Sequence, residues 1–156
     1  MWQNTSNPSA KMSLALTDLQ SDLASWCQSY VTAFNNGDAE AIASHWTFPA
    51  LTTQAGRSFS FKSAEHFVRN TKILLGFYEA QGVNRVVREL VSYTPLYEGV
   101  AAMTVSDVMF DEDGGEIAGW DAAYVLQRVE GAWRAVMAVA DGETQAWAAR
   151  GTPLGA

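Results

Sequence analysis

The sequence predicts an α+β fold: three N-terminal helices packed on a curved, mainly antiparallel β-sheet. Three observations predict it. Apolar residues recur at spacings of three and four in the first half, and from Asn84 onward the period becomes two. The helices come first and most strands later, which is not the alternation of a parallel α/β sheet. The turns between the later strands are short, and short turns require antiparallel neighbours.

The elements follow in order. Residues 1–12 are polar, contain Pro8 and read as a disordered tail. Thr17-Asp18-Leu19-Gln20 has the form of a capping box at a helix start. Leu16, Leu19, Leu23, Trp26, Tyr30 and Phe34 then share one face of a long helix, which Asn35-Asn36-Gly37 stops. Asp38 caps a short second helix that carries Ile42 and Trp46 inward, and Phe48-Pro49 ends it. Ala55-Gly56-Arg57, flanked by Leu51–Gln54 and Ser58–Phe61, reads as a hairpin. Ser63 caps a third helix with Phe67, Thr71, Leu74 and Tyr78 on one face, and Gly82 ends it. Strands are expected over about 84–94, 97–110, 116–130 and 132–140, with turns at Pro95, Gly114-Gly115 and Glu130-Gly131. The end of the chain is weakly helical around Trp147. A sheet this long curls as it twists, so helices closing over its concave side leave a cavity at the open end. The boundaries expected are a tail over 1–12, one domain over 13–145 and a C-terminal tail over 146–156.

A chain of 156 residues, 48% apolar, with six Trp, seven Phe and five Tyr, can build one core without covalent help. Its single cysteine, Cys27, forms no internal bridge and lies by the apolar stripe of the first helix, as an inert buried thiol would. A net charge of −7 argues against nucleic acid and against an anionic membrane surface. The start of the chain lacks the basic-then-apolar pattern of a secretory signal, and no run approaches the ~20 apolar residues of a membrane span. The expected location is the cytoplasm.

Three segments carry a family resemblance: Tyr30-Val31-Thr32-Ala33-Phe34-Asn35-Asn36-Gly37-Asp38, the Gly56 turn ahead of Ser63-Ala64-Glu65, and the hairpin Arg128-Val129-Glu130-Gly131-Ala132-Trp133-Arg134. In order and spacing they resemble the NTF2-like superfamily, the cone-shaped fold of nuclear transport factor 2, ketosteroid isomerase and SnoaL-type polyketide cyclases. The resemblance runs from roughly Leu16 to Asp141 and implies a ready-made pocket. Ketosteroid isomerase itself needs a helix-one tyrosine, a carboxylate proton shuttle and a second buried acid. Tyr30 matches the first. The other two positions fall near Thr53-Gln54 and Tyr124-Val125, which carry no carboxyl, so steroid isomerase activity is rejected.

The candidate chemistry is sparse. Tyr30 reads as a core tyrosine with a satisfied hydroxyl or as a hydrogen-bond partner in a site. His45 stands at the expected rim, either as a general base or as a capping or surface residue. His66 lies in the first turn of the third helix, where the helix dipole opposes a cation. On the strand around Trp120-Asp121, Trp120, Ala122, Tyr124 and Leu126 share one face and Asp121, Ala123, Val125 and Gln127 the other. If the second face lines the cavity, Asp121 is an inward acid–base residue that needs a partner such as Arg69, Arg88 or His45. If the first face does, Asp121 points outward, at a dimer interface. Asp107 poses the same question. Two histidines and one cysteine, without a helical His-Glu-x-x-His pattern, form no metal motif, and no phosphate loop or dinucleotide fingerprint appears.

The reading is a small-molecule pocket protein: a cofactor-independent lyase, isomerase or cyclase, or a binder without turnover. Its pocket is expected to include Trp46, Phe59, Tyr78, Met103 and Trp133, which suit an apolar or aromatic ligand. Its catalytic set would be Asp121 with Tyr30 and His45. The other reading is a non-catalytic association module, a homodimer through the sheet face with the cavity packed shut by Trp46, Phe67 and Trp120.

Overall fold

Helix α1 spans Pro8–Asn35 in a computed structural model that describes residues 8–154, with side chains from residue 18 onward. Thr17-Asp18-Leu19-Gln20 therefore falls inside a helix rather than at its start. Proline suits a first helical turn, because the N–H it lacks is one the helix leaves unpaired. Residues 8–12 of the expected tail belong to α1; residues 1–7 and the Leu16 and Thr17 side chains lie outside the described residues. Of the predicted stripe, Leu23, Trp26 and Tyr30 are buried and Leu19 and Phe34 half-buried, with Cys27 buried beside them. Gly37, at φ 63°, closes the helix, and the Asp38 N–H returns to the Ala33 carbonyl at 3.0 Å.

Helix α2 is a single turn, Ala39–Ala43, capped by Asp38, which accepts from the Ala41 N–H at 3.0 Å. Trp46 does not belong to it. The chain turns at Ser44-His45 and Trp46 opens strand β1, Trp46–Gln54. Pro49 thus lies inside a strand, where the parallel ladder skips from Trp46 to Leu51 and the antiparallel one begins only at Ala50. A residue without an N–H is tolerated there because no ladder bond is asked of it. Ala55 and Gly56, both at positive φ, turn β1 into β2, Arg57–Phe61. Helix α3, Ala64–Ala80, starts on Ser63, whose hydroxyl accepts from the His66 N–H.

Strands β3 (Arg85–Tyr97), β4 (Val100–Phe110), β5 (Glu116–Val129) and β6 (Ala132–Val139) complete a six-stranded sheet in the order β2-β1-β6-β5-β4-β3. Every neighbouring pair is antiparallel except β1 and β6, which lie parallel. The β3–β4 turn is at Glu98-Gly99, not at Pro95, which stays in the strand. As an edge strand, β3 can hold a proline. Helix α4, Asp141–Ala149, crosses the boundary expected at 145 and carries a Trp147 with no exposed surface.

The interior forms two apolar clusters. One joins α1, α2 and α3 to the middle of the sheet around Leu23, Trp46, Phe67, Val105 and Leu126. The other gathers Val31, Tyr78, Val86, Met109 and Trp120 around Trp147. No helix among the described residues is long and apolar enough to cross a membrane.

Candidate functional site

A cavity of about 820 Å³ opens between the concave face of the sheet, α1, α3 and α4. Strand parity decides its polar groups. Arg88 on β3, Asp107 on β4 and Trp120 on β5 occupy one cross-strand row facing inward. Tyr124 follows four residues along β5 on the same face, and Asp121 points the other way.

Arg88 and Asp107 form a buried bidentate ion pair: Nε donates to Oδ1 at 2.7 Å and Nη2 to Oδ2 at 2.8 Å. Nη2 also donates to the Tyr124 hydroxyl at 2.8 Å. The guanidinium lies 4.8 Å from the Tyr124 ring centroid and 5.2 Å from that of Tyr30. Burial works against its charge, but Tyr124 and the Asp107 carboxylate outweigh it, so Arg88 is held well above the usual arginine range. Nη1 is buried and has no hydrogen-bond partner among the described residues.

The second polar group comes from α4. Its first turn is tied to β1 by Asp141, which accepts from Thr53 Oγ1 at 3.3 Å and from the Ala55 N–H at 3.1 Å. Gly142 then lets α4 press on β5, because a Cβ there would stand 2.3 Å from the Asp121 carbonyl oxygen. The next residue, Glu143, enters the cavity. Its Oε2 accepts from the Tyr78 hydroxyl and from Trp147 Nε1, the latter at 3.1 Å. Among the described residues no donor reaches Oε1. Burial pushes the Glu143 carboxyl up to about 7, although both hydrogen bonds favour its ionised form. Burial raises the Tyr30, Tyr78 and Tyr124 hydroxyls too, so all three stay protonated donors at neutral pH.

Of the residues expected to line a pocket, Trp46, Phe59 and Tyr78 do. Met103 does not: it is buried in the core under α1, 3.9 Å from the Cys27 sulfur. Nor does Trp133, whose Nε1 donates outward to Asp22. Met103 is in register with Tyr124 but is covered by α1 at Cys27, and Trp133 lies at the opposite end of β6 from Ala138 and Val139, which line the cavity. Trp46, Phe67 and Trp120 line the cavity rather than fill it.

Of the expected catalytic set, only Tyr30 faces the cavity, and its hydroxyl accepts from Trp46 Nε1 at 3.1 Å. Asp121 is exposed on the convex side, and neither Arg69 nor Arg88 meets it: Arg69 pairs with Glu65, Arg88 with Asp107. His45 sits behind the cavity wall with both ring nitrogens engaged, Nδ1 on the Ala41 carbonyl and Nε2 on Ser29 Oγ, each at 2.7 Å. The carbonyl can only accept, so Nδ1 donates, and a neutral ring then takes the Ser29 proton on Nε2. His66 is exposed at the cavity rim. Sequence reading missed Glu143 entirely; its i, i+4 spacing to Trp147 was the available sign. No group of three His, Cys, Asp or Glu among the described residues could hold a metal ion.

The family described as NTF2-like protein (DUF6841) matches residues 21–143. Among solved structures, an NTF2-like protein with a cystatin-like fold from Novosphingobium aromaticivorans is similar at 19% identity and TM-score 0.65, over 94% of this chain and 97% of that one. A domain of unknown function with a cystatin-like fold from Nostoc punctiforme is similar at 14% identity and TM-score 0.64, over 77% and 74%. A ketosteroid isomerase-like protein from Erwinia carotovora atroseptica is similar at 16% identity and TM-score 0.57, over 76% and 92%. Identities this low speak for a shared fold alone. No curated protein matches.

Proposed function

Because the chain belongs to the NTF2-like protein family (DUF6841), we propose that its cavity binds a small organic molecule with an apolar or aromatic body and acts on it without a cofactor, as a lyase, isomerase or cyclase. One observation carries this reading. An open cavity of about 820 Å³ with aromatic walls holds a buried ion pair and a carboxyl poised near neutral pH. An apolar pocket with a few convergent polar groups is the usual form of a small-molecule site. A carboxyl near 7 is suited to take and return a proton at physiological pH. Glu143 is the acid–base group in this reading, with Tyr78 and Trp147 orienting it and Arg88 placed to hold a substrate oxygen.

The test is native mass spectrometry of the protein as purified, followed by turnover of whatever molecule it retains. Glu143→Gln should abolish turnover with the molecule still bound, and Asp121→Asn should leave both unchanged. An Asp121→Asn variant that binds but does not turn over would reject this assignment.

A second reading concerns the partner. Val87 is 40% exposed on the convex face of the sheet, in register with Val108, and Ala102 and Val125 lie on the same face. We propose that this face pairs with a second copy of the chain. This is compatible with ligand binding on the opposite, concave side.

A further inference from the structure

The least satisfied atom in the cavity is Arg88 Nη1. Its side chain is 5% exposed, and Nε and Nη2 are committed to Asp107 and Tyr124. Among the described residues Nη1 has no acceptor, yet Arg88 belongs to the cavity wall. Buried donors are nearly always paired, and an unpaired one is costly. The guanidinium cannot swing away to find water. Two hydrogen bonds to Asp107 fix its plane, and the Tyr30 and Tyr124 rings flank it.

The charge at this point is already balanced. A carboxylate arriving at Nη1 would meet a cation whose charge Asp107 neutralises, and it would bring a second negative group beside the Asp107 oxygens in a buried site. Glu143 faces the same cavity and adds negative charge when ionised. The donor remains; the attraction for an anion does not. Tyr30 and Tyr124 flank the pair and Trp46, Phe67 and Trp120 add apolar wall, while the other cation of the lining, Arg57, is exposed to solvent.

We infer that Arg88 Nη1 is the anchor for an uncharged oxygen acceptor, a ketone or ester carbonyl on a flat apolar body, and that the Arg88–Asp107 pair makes the site refuse the matching carboxylate. This rests on the cavity being a small-molecule site. It adds which polar group the ligand carries and which it must not carry.

Three probes of one shape test it at pH 6: 2-acetonaphthone, with a carbonyl; 2-ethylnaphthalene, with none; and 2-naphthoate, a carboxylate. Titration calorimetry on the full chain should give 2-acetonaphthone an affinity about tenfold above each of the other two, the increment of one buried hydrogen bond recovered. In Asp107→Asn, which keeps an acceptor for Arg88 but removes the counter-charge, 2-naphthoate should overtake 2-acetonaphthone. If that variant does not fold, the three wild-type affinities decide alone. Equal binding of 2-acetonaphthone and 2-ethylnaphthalene overturns the anchor and leaves the cavity reading standing. Wild-type preference for 2-naphthoate overturns the charge argument. Binding of none of the three by folded protein overturns the cavity reading, and this inference with it.

Discussion

Burial raises the Glu143 carboxyl to about 7, from 4.5 for a free side chain. The folded state therefore holds this proton more tightly than the unfolded chain. The resulting stabilisation is complete below about pH 4.5 and is lost as pH rises through about 7. The difference amounts to roughly 3 kcal/mol. Thermal unfolding of the wild type should weaken between these limits relative to Glu143→Gln, whose amide does not titrate. Parallel pH profiles for the two proteins would contradict the burial argument. The Arg88–Asp107 pair makes a second claim at this scale. Asp107→Ala leaves a buried guanidinium without its counter-charge, and should cost about 3–5 kcal/mol in urea unfolding. The double change Arg88→Met with Asp107→Leu should cost much less, because no buried charge is then left alone.

Helix α4 supplies Glu143 only because Gly142 lets it touch β5. Gly142→Ala would place a methyl 2.3 Å from the Asp121 carbonyl oxygen, so the helix must lift or β5 must move. The expected cost is about 1–3 kcal/mol. It should appear as faster hydrogen exchange across Asp141–Ala149, with β3 and β4 unaffected. The β5–β6 turn offers the opposite sign. Glu130 sits there at φ 51°, a left-handed conformation that favours asparagine or glycine. Glu130→Asn should stabilise the protein by about 0.5–1 kcal/mol, read as a higher Tm.

We propose that the two faces of the sheet divide the molecule's work, ligand on the concave side and a second copy on the convex one. Val125 lies on the convex side in register with Ala102 and Met137. Val125→Arg should shift the sedimentation coefficient from dimer to monomer, with the circular dichroism spectrum and the affinity for 2-acetonaphthone unchanged. Sedimentation of the wild type as a monomer at high concentration would reject the paired assembly. Occupation of the cavity should raise Tm in proportion to the logarithm of ligand concentration, because only the folded chain has the cavity.

Periodicity and turn chemistry, both local, were legible without coordinates. The caps at Asp38 and Ser63, the helix stop at Gly37, the hairpin turn at Gly56, and the face holding Leu23, Trp26 and Tyr30 all stand where the sequence puts them. Local rules also misled where the partner strand decides. Pro49 and Pro95 read as breaks but lie within strands, one in a gap of the ladders and one on the sheet edge. The site itself was the least legible part. Alternation in β5 says that Trp120 and Asp121 face opposite ways, but not which way is inward; helix packing on Trp120 settles that and turns Asp121 out. Sequence distance hid the rest: Arg88 meets Asp107 across two strands, and Glu143 meets Tyr78 from 65 residues away. The sequence alone determined the elements and the cone they form, because those follow from spacings within a few residues. Only the tertiary structure decided which carboxyls are buried, because burial depends on what the rest of the chain lays over them.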